Sequence, residues 1–212
     1  MIDESRRWQR RGVRRAARFL VQCGTLLSGI VTTNYDLLVE YSLGSKGFNY
    51  GSVGEVLQGR GPYPVSQWRN PVTLNGRLPL AKLHGSISWD SKGRYTDGRR
   101  GLSGRALIVA PTPDKQPPTP LRDQWDLSQQ ILQRASRILV FGFGFNEYDQ
   151  AVLLHFRQAG RYASQVAVVD VTSRIEAAQG LWPQAEIRWF PPPTGNGELK
   201  DWLEMASIAH RT

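Results

Sequence analysis

Two short polar clusters in this chain carry residue types suited to breaking a glycosidic bond. The first is Val31-Thr32-Thr33-Asn34-Tyr35-Asp36, a β-branched run that ends in Asn-x-Asp; the second is Lys82-Leu83-His84-Gly85, fifty residues further on. Each follows an apolar run, so each is expected where a strand stops and the chain turns toward a crevice, the place where open α/β sheets bind ligands. Cleaving an N-glycosidic bond to a cationic base needs little acid assistance, because the base departs neutral. It needs one polar group to hold the ribose through an oxocarbenium-like state, a second to turn the leaving base, and a general base for the acceptor. Asn34 offers a carbonyl and an amide to ribose or water, Asp36 can accept from an amide on the base, and an imidazole such as that of His84 suits the proton transfer. The same residues have plain structural uses: Asn and Asp cap helices at strand-to-helix junctions, and a histidine before glycine can bridge backbone groups at a turn.

A third cluster, Leu139-Val140-Phe141-Gly142-Phe143-Gly144-Phe145-Asn146-Glu147, runs from a strand through Gly-x-Gly toward a helix. It is half of a dinucleotide fingerprint. The third glycine is absent, and Glu147 stands near the helix start, where a carboxylate opposes a pyrophosphate. Asp170, at the end of the next apolar run, is placed to accept from a ribose hydroxyl or, equally, to cap a helix beginning at Thr172 or Ser173.

The elements that must position these residues follow from periodicity. Residues 5–22 read as a helix with arginines at 7, 11, 14, 15 and 18 along one side. Residues 29–33 form a buried strand and residues 36–42 a short helix, which leaves Asn34 in the turn between them. Residues 44–79 are rich in Gly, Pro and aromatics without a helical period, and are expected to be an excursion with short strands, a lid or substrate groove. Residues 80–84 are a second core strand, residues 86–95 a hairpin turning at Ser91-Lys92-Gly93, residues 106–110 a further strand, and residues 121–135 a helix. Strands at 137–141, 166–169 and 187–190 then alternate with helices at 148–158, 173–178 and 198–206. Nearly continuous Val, Ile, Leu and Phe in the strands argues a parallel sheet covered on both faces. The expected fold is therefore α/β, a three-layer Rossmann-like parallel sheet with helices on both faces, in one domain spanning 1–212: an Arg-rich helical segment (1–27), the excursion (44–79) and the rest of the core (80–212).

Composition bounds the partners. The net charge of +9 comes mostly from arginine, since among 27 basic residues only Lys46, Lys82, Lys92, Lys115 and Lys200 are lysines. Anionic partners are plausible on that ground, nucleotides and nucleic acid included. A single cysteine, Cys23, excludes an intrachain disulfide, and with three scattered histidines it leaves no zinc spacing. Arginines ahead of the apolar residues 19–27 mimic a signal peptide, but Asp3 and Glu4 precede the run, residues 22–25 interrupt it and no small-residue cleavage site follows. No stretch is long enough to span a bilayer, and a cytoplasmic location is expected.

Taken in order, these motifs resemble the sirtuin-like family, and especially its short bacterial members associated with antiphage defence. The resemblance covers roughly residues 28–190. Thr32-Thr33-Asn34-Tyr35-Asp36 matches the family's Thr-x-Asn-x-Asp turn, Leu83-His84-Gly85 its His-Gly turn, Gly142-Phe143-Gly144-Phe145-Asn146 the loop that approaches the cofactor, and Val168-Val169-Asp170 the strand end near the adenosine ribose. By that resemblance NAD is the substrate: Asn34 orients ribose and water, Asp36 holds the nicotinamide amide, His84 is the general base, and Thr32, Thr33, Gly142, Gly144, Phe145, Asn146 and Asp170 bind the cofactor. The implied reaction is hydrolysis to nicotinamide and ADP-ribose, in a homo-oligomer or a larger defence complex. The paired-cysteine zinc module of deacylating sirtuins is absent. Two departures stand out. Relatives open with a strand and a Gly-Ala-Gly-x-Ser loop that cradles the pyrophosphate, and nothing before Gly29 resembles it, so the first strand is expected to be missing, the chain being a fragment or an NAD-binding domain that has lost part of its site. Losing that cradle weakens NAD binding by roughly a hundredfold or more. Where relatives carry serine or threonine in the late glycine loop, this chain has Gly144.

Two other readings stay open. A non-catalytic domain that binds NAD or ADP-ribose, or holds an oligomer, would keep the sheet without the chemistry. An Arg-rich helix over residues 6–18 could instead contact nucleic acid, with strong salt dependence.

Overall fold

The computed structural model describes residues 27–43, 48–51, 78–90, 106–111 and 121–191. The helices expected at 5–22 and 198–206, most of the 44–79 excursion and the turn at 91–93 lie outside them. By internal contacts the chain divides into two compact units, the first comprising residues 1–111 and 116–131, the second residues 112–115 and 132–212.

In the first unit, β1 (Ile30–Thr32), β2 (Phe48–Asn49) and β3 (Leu78–Lys82) form a parallel sheet with β3 in the centre. β3 is buried along its whole length, whereas β1, expected to be buried, is only half-buried. β3 runs two residues ahead of the expected 80–84 at both ends, which leaves Leu83 and His84 in the turn beyond it; Pro79, which lacks a ladder donor, is accommodated because it sits where the strand has one neighbour. β2 pairs at Leu78 and Pro79, and β1 joins only from Leu80 onward, so the sheet is locally an edge there. Helix α1 (Leu38–Leu43) follows β1, starting two residues later than expected because Asp36 forms the turn that precedes it. β4 (Gly85–Asp90) pairs antiparallel with β5 (Ala106–Ile108) across a register shift. The far arm of the hairpin expected over 86–95 lies outside the described residues.

Helix α2 (Arg122–Gln133) buries Gln124, Trp125, Leu127, Ser128 and Leu132, the spacing of one helical face. Leu127 and Ile131 pack against Ala81 of β3 and Val31 of β1. Gly29 lets the chain enter β1 closely, since a Cβ there would lie 2.8 Å from Ile131 Cγ2.

In the second unit, β6 (Arg137–Phe141), β7 (Gln165–Val169) and β8 (Glu186–Phe190) are parallel in sequence order. A 3₁₀ turn at Glu147–Asp149 leads into α3 (Gln150–Ala159), and α4 (Ile175–Leu181) joins β7 to β8. The core is Val140, Val166, Val168, Ala178 and Trp182, with Phe143, Phe145 and Phe156 packed on it. Gly160 ends α3 beneath Trp182, whose indole Nε1 donates to Phe156 O at 3.2 Å; a Cβ at Gly160 would lie 2.5 Å from that nitrogen. The architecture is α/β, parallel sheets flanked by helices, as the alternation of patterns in the sequence implied.

Candidate functional site

In-register parallel pairing places the first two clusters side by side. Thr32 pairs with Lys82, so Asn34 and His84 each stand two residues past the same rung, at the carboxyl ends of neighbouring strands. Backbone bonds hold the two exits together: Leu83 N donates to Thr32 O and Ile87 N to Tyr35 O, both at 3.0 Å. Thr32 Oγ1 accepts from Asn34 N at 3.0 Å, which tightens the turn and leaves the Asn34 carboxamide exposed. Thr33 is half-buried beside it. Asp36 accepts from Leu38 N through Oδ1 at 2.9 Å. The capping use foreseen for Asn and Asp here falls to Asp36, which sits two residues ahead of α1 and satisfies that helix's first backbone N–H, while Asn34 makes no side-chain cap among the described residues.

His84 is buried, and its carbonyl accepts from Val109 N at 2.9 Å. The glycine after it has a steric reason. Gly85 has φ +80°, and a Cβ on it would lie 2.1 Å from Leu107 O of β5, so the close antiparallel approach of β5 requires a residue without a side chain.

Beneath these turns lies a polar network that the motifs did not reveal. The Lys82 ammonium meets Glu40 Oε1 at 2.7 Å and donates to the backbone carbonyl of Asp36. Tyr50 Oη donates to the same Glu40 oxygen at 2.6 Å. Gln124 accepts from Lys82 N at 3.0 Å and donates to Tyr50 O at 2.6 Å. All four residues are buried. Burial holds the Lys82 ammonium below the ordinary lysine range, against the opposing pull of Glu40 and, more weakly, Asp36. A signal was available in the sequence: Lys82 interrupts an apolar strand and Glu40 an apolar helix, and charges in such places need partners.

The second unit repeats the arrangement at its own strand ends. Phe141 pairs with Val169, so Gly142 and Asp170 leave the sheet at one level, and Gly142 N donates to Val169 O at 2.9 Å. Gly142 has φ +62°, and neither it nor Gly144 would place a Cβ within 4 Å of another atom, so the loop has open space on both glycines. The absent hydroxyl at Gly144 is a matter of residue identity, not of room. Phe145 has φ +51°, a conformation unusual for a residue with a side chain. Its ring is 5.0 Å from that of Phe143 and 6.5 Å from that of Trp182, so its side chain packs on the core of the second unit. Asn146 caps the 3₁₀ turn, accepting from Tyr148 N at 3.0 Å. Asp170 Oδ1 accepts from Thr172 N at 3.3 Å, and Oδ2 lies 3.9 Å from Arg174 Nε. Asp170 is not the cap of the following helix, which begins at Ile175, later than expected, with Arg174 in the cap position.

Asn34, Asp36 and His84 thus belong to the first unit, with Thr32 and Thr33; Gly142, Gly144, Phe145, Asn146 and Asp170 belong to the second. Among the described residues no group of three or more His, Cys, Asp or Glu side chains could hold a metal ion, and no helix is long and apolar enough to cross a membrane.

Parallel strands flanked by helices, with polar clusters leaving each unit's sheet at the strand ends, define an α/β domain of Rossmann-like type. The SIR2-like domain family model matches residues 28–190, and the chain belongs to that family. SIR2-like domains use NAD as substrate. No curated protein and no solved structure matches the chain.

Proposed function

We propose that this chain hydrolyses NAD to nicotinamide and ADP-ribose, and that it does so in antiphage defence, in the cytoplasm, as a homo-oligomer or within a larger complex. The observation that carries the chemical reading is the shared rung Thr32–Lys82, which brings Asn34 and His84 to adjacent strand ends within one unit. In this reading the exposed Asn34 carboxamide holds the ribose and the attacking water, and Asp36 receives the nicotinamide amide on its carboxylate. The C1′–N bond breaks with both electrons going to the departing pyridine nitrogen, water oxygen bonds to C1′, and His84 takes the water's proton. The open faces of Gly142 and Gly144 suit close approach of a phosphate or ribose to backbone. The defence role and the assembly rest on likeness to the short bacterial members of the family.

The test is nicotinamide release from NAD by the purified chain beside folded Asn34→Ala and His84→Ala variants. Each substitution is expected to lower release by about 100-fold or more. A second reading, binding without chemistry, draws on Asp36 and Asp170, each of which already accepts a backbone N–H through Oδ1. Thermal stabilisation by ADP-ribose with no release from the unmodified chain would replace the hydrolase with that reading.

A further inference from the structure

We propose that the buried Glu40–Lys82 pair is the positioning element of this site, clamping the turn that carries Asn34 and Asp36 onto the strand that delivers His84. The effect on catalysis rests on the hydrolase reading above; the clamp itself does not. Lys82 occupies the last rung of β3, two residues before His84, and its ammonium leaves the strand to reach Glu40 of α1 and the carbonyl of Asp36. One side chain therefore fixes both the helix after the first turn and the turn's own backbone. Tyr50 and Gln124 lock the pair from the other side, through Glu40 Oε1 and through Lys82 N.

Stability alone is a poor reason for this arrangement. Taking two charges out of water costs more than packing two apolar side chains of the same volume, and such replacement is often neutral or stabilising. Glu40 Oε2 is buried without a hydrogen-bond partner among the described residues, a further cost. What an apolar pair cannot supply is a donor to the Asp36 carbonyl. The pair exchanges solvation for a fixed geometry at the turn, and a displacement of about 1 Å at a reacting centre can cost roughly 100-fold in rate.

The experiment compares the full chain with its Glu40→Leu/Lys82→Met double variant, in which no buried charge is left unpaired. Hydrogen exchange is read at two amides that report on the turn, Leu38 N–H, bonded to Asp36 Oδ1, and Ile87 N–H, bonded to Tyr35 O. The double variant is expected to fold, to exchange both amides at least about tenfold faster while Val168 in the second unit is unchanged, and to lose on the order of 100-fold in kcat with a smaller change in KM. Unchanged exchange at Leu38 and Ile87 overturns the clamp, and faster exchange with kcat retained overturns its positioning role. An unmodified chain that releases no nicotinamide sinks the hydrolase reading and leaves the clamp to be decided by exchange. Should the double variant not fold, Glu40→Gln removes the charge while keeping an acceptor, and is expected to quicken the same amides to a lesser degree; amides that match the unmodified chain overturn the proposal.

Discussion

Gly85 and Gly142 share a left-handed backbone and differ in what surrounds them. A Cβ on Gly85 would collide with Leu107 O at 2.1 Å, while one on Gly142 would meet nothing within 4 Å. Gly142→Ala therefore carries only the conformational cost, about 1–2 kcal/mol. Gly85→Ala adds the displacement of β5 from His84, whose carbonyl accepts from Val109 N. It is expected to cost more than about 2 kcal/mol, read as the difference between the two variants in urea unfolding. Equal destabilisation would show that β5 yields freely. The Gly after His84 was visible in the sequence as part of a motif; the reason for it was not, because the atom that excludes a side chain comes from a strand more than twenty residues away.

At the scale of elements, the site depends on β3 lying between β1 and β2 and on α2 covering that sheet. Leu127 is fully buried against Ala81, and Ile131 and Val31 close the cluster. Leu127→Ala is expected to destabilise the first unit by about 2–5 kcal/mol through lost burial and the cavity left behind. Leu154→Ala, on the exposed side of α3, should change stability by less than about 0.5 kcal/mol. Comparable losses in the two variants would contradict the assignment of α2 as the cover of this sheet. Most elements were legible: α2 and β6–β8 lie within two residues of where periodicity put them, and α3 opens with a 3₁₀ turn where a continuous helix was expected. Two of the misjudged boundaries fall where a side chain acts against type, at Pro79 inside a strand and at Asp36 inside a turn; others, such as the start of α4 at Ile175, are shifts of about one half-turn.

For the molecule as a whole, the pH dependence of stability has an identifiable source. Burial lowers the His155 pKa from 6.5 to about 4. The folded imidazole therefore stays neutral where the unfolded one is protonated. Between pH 6.5 and 4 the unfolded state binds the extra proton, so stability is full above pH 6.5 and falls as the pH drops toward 4. Allowing for the partial exposure of His155, the loss is expected to reach about 2 kcal/mol. His155→Leu should flatten the fall in melting temperature over that window, and an unaltered slope would place the source elsewhere.

Hydrophobic period and residue type are local properties, so the α/β class, the order of the described strands and helices, and the three polar clusters at strand ends were readable from the chain's residues. The sequence also carried the SIR2-like motifs in order. That Asn34 and His84 leave the sheet from the same rung came only with the tertiary structure, since parallel register pairs residues fifty positions apart. Tertiary structure alone paired Lys82 with Glu40, a contact between residues 42 positions apart that only the crossing of α1 and β3 creates. Local pattern could show that each charge sat in an apolar setting; the identity of its partner depended on the packing of the chain.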